Sequence, residues 1–316
     1  IRVPFFALWA PSFYTGAEAV RRTLQLRDAI QRVLDAYPRQ MELAASARDI
    51  ERITRAGRLA AVLSLEGGHQ IADDLAVLRM YHRLGIRSMT LTHFRNNNWA
   101  DSSTDRPAHN GLTDFGRQVV REMEQLGMLV DVSHVSDKTF FDTLEVTAKP
   151  VIASHSSCRA LSDVPRNMSD EMLRALARNR GVVGINFGSG FLNQRAAAAL
   201  RRSIAAIAEK QPRLSGKALD EFAAREHFRR LRAQEGPPAR LEDAAAHIQH
   251  VAQVAGIEHV GIGSDYDGIS SVPIGLEDVS KLPALTAALL KRGFSEQDAK
   301  KVLGENFLRV IREVMP

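Results

Sequence analysis

Five ionisable side chains each follow a short apolar run. Glu66 comes after Leu63-Ser64-Leu65, His93 after Thr90-Leu91-Thr92, and His134 after Val130-Asp131-Val132-Ser133. His155 comes after Ile152-Ala153-Ser154, and Asp265 after Gly261-Ile262-Gly263-Ser264. Three imidazoles and two carboxylates form the donor set of a catalytic Zn²⁺ or similar divalent ion, bound through N and O with a position left for water. Burying such groups without partners is costly, so a bound metal or a dense polar network is expected around them. The other histidines carry less. His69, two glycines after Glu66, reads either as structural or as a residue that orients a ligand. His247 and His250, three apart on a helix-like run from Ala244 to Ala255, read as a solvated helix face with no carboxylate partner. His82, His109, His227 and His259 read as structural or surface residues. Cys158 is the only cysteine, which excludes an internal disulfide and any cysteine-based metal site; it reads as a small buried filler. Gly67 and Gly68 lack the remaining glycines and the lysine of a phosphate loop.

To converge, these residues need a common scaffold. Apolar runs of strand length at Val3–Trp9, Leu59–Leu65, Ser88–Thr92, Met128–Ser133, Val151–Ser154, Val182–Phe187 and His259–Ser264 alternate with amphipathic runs. Helical patterns include Ala17–Ala36, Ala72–Leu84, Thr113–Leu126 and Asp170–Asn179, with Asp170 as an N-cap and Gly127 and Gly181 as C-terminal glycines. Ser295 to Val314 reads as a helix opened by a Ser295/Asp298 capping box. Strand–helix alternation with near-continuous apolar strands predicts an α/β fold with a parallel sheet buried on both faces. The expected architecture is a (β/α)8 TIM-type barrel. In that fold all strand C-termini meet at one rim, where its active sites lie. The seven runs are one short of a closed barrel. Residues 1–316 are expected to form a single barrel domain, incomplete at the N-terminus, with an Ala- and Arg-rich helical excursion at about 192–240 that ends near Gly236-Pro237-Pro238.

Composition narrows the function classes. The chain is 45% hydrophobic and 25% charged, as expected of a globular domain. Its net charge of +5 comes from scattered arginines, and aromatics are only 6%, which argues against nucleic acid as a partner. No apolar run is long enough for a membrane span. The chain opens at Ile1 inside an apolar run, so no targeting segment is visible and the compartment is left open.

Several motifs now resemble a known family over nearly the whole chain. They are Leu65-Glu66-Gly67-Gly68-His69, Leu91-Thr92-His93 with Asn98-Trp99-Ala100-Asp101-Ser102, Asp131-Val132-Ser133-His134, Ser154-His155-Ser156, Arg166-Asn167 and Gly263-Ser264-Asp265-Tyr266-Asp267-Gly268. Gly275-Leu276-Glu277-Asp278 and Gly304-Glu305-Asn306-Phe307 add to the set. Together they resemble the membrane (renal) dipeptidases, zinc metallopeptidases of the amidohydrolase-like barrel type.

The resemblance implies a binuclear zinc site acting on dipeptides with free amino and carboxyl termini. Glu66 matches the carboxylate that bridges the two ions, and His134 and His155 match ligands of the second. His93 matches a histidine beside the scissile bond, Arg166 the arginine that holds the substrate carboxylate, and Asp265 the aspartate near the amino group. Such chemistry is physically sound. A guanidinium grips a carboxylate bidentately, a water shared by two metals ionises near neutral pH, Asp265 can pass its proton to the leaving amine, and His93 can stabilise the oxyanion. The resemblance also implies a homodimer, in relatives that are often exported or membrane-attached. Two departures stand out. The family's His-x-Asp pair, which supplies the first zinc, does not occur before Val3, so the first barrel strand is expected to precede this chain. Gly188 stands where some relatives place an aromatic residue. The alternatives to a dipeptidase are a related barrel acting on another amide, a lactone or a β-lactam, and a metal-free, inactive barrel.

Overall fold

The seven apolar runs all form strands in the computed structural model, which describes every residue except Leu200, 203–217, 219–220, 223–224, 227–228, 231–236 and Pro316. Two compact units are present, Ile1–Ile152 with Leu308–Pro316, and Ala153–Phe307. In the first, β1 (Phe5–Trp9) is followed by α1 (Gly16–Ala36), β2 (Met41–Leu43), α2 (Ala47–Arg55), β3 (Leu59–Glu66), α3 (Leu75–Arg83), β4 (Ile86–Thr90), α4 (Asp114–Leu126), β5 (Leu129–Asp131) and α5 (Asp137–Val146). The sheet order is β1-β3-β4-β5, all parallel, with β2 alongside β3. Ile152, the first residue of β6 (Ile152–Ser156), pairs with Asp131. The register aligns Trp9 with Glu66, and Glu66 with Thr90. Ala60 to Leu63 and Leu65 of β3 are wholly buried, as a parallel strand covered on both faces requires.

The second unit continues β6 through α6 (Asp170–Arg178), β7 (Val182–Ile185), α7 (Ser189–Leu192), α8 (Leu241–Val254), β8 (Val260–Ile262), α9 (Leu282–Lys291) and α10 (Glu296–Lys300), in the order β6-β7-β8. Its strand backbones approach closely. A Cβ on Gly184 or Gly263 would lie 2.3 or 2.1 Å from the Ser154 carbonyl oxygen, so only glycine fits at either position. Asn306 Nδ2 donates to the carbonyls of Ile257 (2.7 Å) and Val260 (2.8 Å), and Phe307 fills the space over Gly261. The Gly-Glu-Asn-Phe motif therefore braces the start of β8. Tyr266 O–H likewise donates to the Asp278 carbonyl at 3.1 Å, which gives the Gly-Leu-Glu-Asp motif a structural task.

Local signals fail in a few instructive places. Ser169, not Asp170, caps α6 through its hydroxyl, while Asp170 occupies the first helical position. Arg180, not Gly181, takes the left-handed conformation after that helix (φ +65°), although Gly127 fills that role after α4 as expected (φ +70°). The C-terminal helix is broken, with α10 joined to α11 (Asn306–Val314) through a turn of wider pitch in which Gly304 has φ +156°. The Ser295/Asp298 capping box does form. Strand β2 was not expected, since three half-buried residues carry no periodic signal. Much of the helical excursion expected at 192–240 lies outside the described residues.

His247 is not on a solvated face. It is fully buried on α8, where Nδ1 accepts the Cys158 N–H at 3.0 Å and Nε2 donates to the Leu192 carbonyl at 3.0 Å. His250, beside it, does have a carboxylate partner, Asp170, at 2.7 Å. Cys158 is the buried filler expected, and burial pushes its thiol pKa up. Burial lowers the His247 pKa from 6.5 to about 4, because protonation would abolish the bond from Cys158 and leave a charge in the core. Above pH 6.5 the folded and unfolded rings are both neutral; on acidification the unfolded ring takes a proton first. Stability is then expected to fall between pH 6.5 and about 4, by about 3 kcal/mol from this group. Urea denaturation across that range should show His247→Gln reducing the slope by about one proton per chain.

Candidate active site

In the first unit the chain must turn sharply to present Glu66. Gly67, with φ +109°, and Gly68, where a Cβ would lie 2.4 Å from Trp99 and 2.5 Å from the Leu91 carbonyl, make that turn. Gln70 then folds back, fully buried, and its amide reaches the carbonyls of Glu66 (2.7 Å), Gly67 (3.2 Å) and Leu8 (3.1 Å). Thr23 Oγ1 donates to its Oε1 at 2.8 Å. His69 anchors the end of β1: burial holds its pKa down to about 4, so the ring is neutral and Nε2 donates to the Ala10 carbonyl at 3.0 Å.

The two other residues of this cluster are fixed from the neighbouring strands. Asp131, fully buried, accepts from Thr90 Oγ1 at 2.7 Å and from the Ser133 N–H at 3.0 Å, fastening the ends of β4 and β5 together. His134 is not on the strand itself; β5 stops at Asp131, and His134 lies three residues on in the left-handed region (φ +69°). Ser102 Oγ donates to the His93 carbonyl at 2.5 Å, and the Ser103 N–H donates to the His134 carbonyl at 2.8 Å. Their loop is in turn held by Asp101, whose carboxylate accepts the N–H groups of Ala108, His109 and Gly111.

The result is a tight cluster. Glu66 Oε1 lies 3.4 Å from His134 Nε2 and 3.6 Å from His93 Nε2, and the two imidazole rings are 4.3 Å apart. All three side chains are 13% exposed or less. Two ligands about 2.0–2.1 Å from a tetrahedral ion stand about 3.3 Å from each other. The Glu66–His134 spacing is that of two donors sharing one ion, and the N/O donor set suits zinc.

In the second unit, His155 lies on β6 with Nδ1 2.7 Å from Ser154 Oγ. Arg166 is 6% exposed, donates to the His155 carbonyl at 2.9 Å, reaches Ser156 Oγ at 3.4 Å, and lies over the Phe191 ring. Asp265 sits three residues past β8 in the left-handed region (φ +59°). A Cβ on Gly268 would be 2.2 Å from its Oδ1, so that glycine leaves room for the carboxylate. Asn186, after β7, accepts the Gly188 N–H at 2.6 Å and donates from Nδ2 to Asp265 Oδ2 at 3.0 Å.

Residues 1–315 match the family described as membrane dipeptidase, peptidase family M19. The chain belongs to the membrane dipeptidase family. Among curated members it is 39% identical to dipeptidase tcpJ of Claviceps purpurea (strain 20.1) over 94% of this chain and 60% of that protein. It is 38% identical to dipeptidase verJ of Clonostachys rogersoniana over 94% of this chain and 66% of that protein. The chain thus spans 60–66% of the length of these relatives. Among solved structures it resembles the probable dipeptidase PvdM from Pseudomonas aeruginosa, with a TM-score of 0.80 and 30% identity over 93% of this chain and 79% of that one. The α/β fold of parallel strands and helices is therefore that of the M19 barrels, as expected.

Within that family frame the sequence motifs named the candidate groups but not their supports. Gln70 and Asn186 carry no motif signal, and Asp131 enters only as part of the motif that ends in His134, because a buried amide or carboxylate that ties strand ends together has no periodicity of its own. The one legible trace was polarity inside apolar runs, as in Val130-Asp131-Val132 and Ile185-Asn186-Phe187. Replacing Asn186 by Leu orphans the buried Gly188 N–H and is expected to lower stability by about 1–3 kcal/mol. Urea unfolding of the purified variant measures it.

Proposed function

We propose that the protein is a zinc-dependent dipeptidase that hydrolyses the single amide of a dipeptide with free amino and carboxyl ends. The observation that carries this reading is the approach of Nε2 atoms from His93 and His134 to one oxygen of Glu66, at 3.6 and 3.4 Å. Glu66, His134 and His155 are the proposed ligands. The family resemblance supports this set, and the N and O donors it offers suit a zinc ion. Ser154 Oγ, 2.7 Å from Nδ1 of His155, can accept a hydrogen bond from that nitrogen, which leaves the lone pair for ligation on Nε2. When bound, the ion supplies a Lewis acid for the peptide carbonyl and lowers the pKa of water.

The chain's own residues do the rest. Arg166 holds the substrate carboxylate; its contacts with a backbone carbonyl, a hydroxyl and an aromatic face orient the guanidinium. Asp265, oriented by Asn186, binds the substrate amino group, takes a proton from the attacking water and passes it to the leaving amine. His93 donates a hydrogen bond to the oxygen that gains charge as the carbonyl is attacked. A site that engages both ends of the substrate excludes longer peptides. The family resemblance supports a homodimer and one working domain over residues 1–316.

Two measurements test the reading. Purified protein supplied with zinc should bind the metal and cleave unblocked dipeptides, and Glu66→Ala should lower zinc affinity by about 10-fold or more. Arg166→Ala should reduce kcat/KM on dipeptides by about 100-fold or more while sparing substrates whose C-terminal carboxylate is amidated. Equal losses on both substrates would remove the carboxylate-binding role, and zinc-loaded protein inert to every unblocked dipeptide would remove the peptidase assignment.

A further inference from the structure

Trp9, the last residue of β1, makes a contact that the proposed chemistry has not used. Its indole Nε1 is 3.2 Å from Nδ1 of His93, with ring centroids 5.3 Å apart and a tilt of 53°. An indole N–H can only donate. His93 Nδ1 therefore accepts, which leaves its lone pair engaged and puts the proton of the neutral ring on Nε2. Nε2 is the atom 3.6 Å from Glu66 Oε1. A ring nitrogen that bears a proton has no lone pair for a metal. It is a donor.

The surroundings hold Trp9 still. The carbonyls on either side of it are both taken: that of Leu8 by Gln70 Nε2 at 3.1 Å and that of Ala10 by His69 Nε2 at 3.0 Å. The parallel register sets Trp9 beside Glu66, so the indole is mounted on the strand next to the one that carries the carboxylate. On the other side, His93 is packed against Phe94 at 4.2 Å and His134 at 4.3 Å between ring centroids, and its carbonyl is held by Ser102. Buried Gln70 and neutral His69, which touch no reacting group, gain a common purpose in this arrangement.

We propose that Trp9 is a positioning residue that fixes His93 as the Nε2–H tautomer. Two adjacent imidazoles facing one carboxylate are thereby assigned different tasks: His134 is left to ligate and His93 is made a hydrogen-bond donor to the substrate oxygen. The tautomer itself follows from the geometry; its catalytic consequence rests on the peptidase reading above.

The test uses the full chain, labelled with ¹⁵N-histidine, with and without zinc. Long-range ¹H–¹⁵N correlation reads which nitrogen of each ring is protonated, and His93→Gln assigns the signal. Wild-type His93 should show a protonated Nε2 and a bare Nδ1 in both states. Trp9→Phe keeps an aromatic ring in place but removes the donor. It should give a mixture of tautomers and lower kcat on dipeptides by about tenfold, with KM within about twofold. Wild-type His93 protonated on Nδ1 overturns the proposal whatever the variant does. An unchanged tautomer in Trp9→Phe overturns it too, even if kcat falls, and a changed tautomer with unchanged kcat overturns the catalytic consequence. If wild-type protein with zinc cleaves no dipeptide, the peptidase reading fails separately, and the spectrum alone decides the role of Trp9.

Discussion

The cost of holding ionisable groups out of water governs this structure. In the first unit a carboxylate lies within 3.6 Å of each of two imidazoles, nearly sealed from solvent. Each would rather be hydrated, and the crowding persists only because the backbone around it is fixed at several points. That explains the density of buried polar ties nearby. Gln70 binds the ends of β1 and β3, Asp131 binds β4 to the loop after β5, and Asp101 gathers the N–H groups of the loop that follows His93. None of these touches a reacting atom, and all of them are buried.

Parallel strands make such a cluster economical in chain. β3, β4 and β5 point the same way, so residues just beyond Glu66, Thr90 and Asp131 fall at the same end of the sheet although they are far apart in sequence. The strands themselves stop short of some of the candidate residues. His134 and Asp265 are themselves left-handed, each three positions past its strand, with φ of +69° and +59°. Non-glycine residues adopt that conformation only where the surroundings hold them there, and strain of this kind gathers at functional sites. Gly268 supplies the room that the turn at Asp265 needs, and Gly68 beside Trp99 does the same for the turn after Glu66.

Much of the plan was legible before any coordinates. All seven apolar runs became strands, the parallel α/β arrangement followed from their alternation with helices, and the end-of-strand position of Glu66 and His155 was read directly. The misreadings share a cause. His247 looked solvated because its two partners, Cys158 and Leu192, are 89 and 55 residues away, and no local pattern reports them. The caps of α6 went astray by one residue at each end, since Ser169-Asp170 and Arg180-Gly181 each offer two adequate choices and only the packed helix decides between them.

By itself, then, the sequence determined which residue types were available for chemistry and which end of each strand would carry them. Hydrophobic periodicity and chain order are local properties, and they suffice for that. Tertiary structure alone decided the distances between donors, the conformations of His134 and Asp265, and the proton position on His93. Each of these depends on a partner brought in from another strand, and the reactivity of an imidazole is set by what faces its two nitrogens, not by its neighbours in the chain.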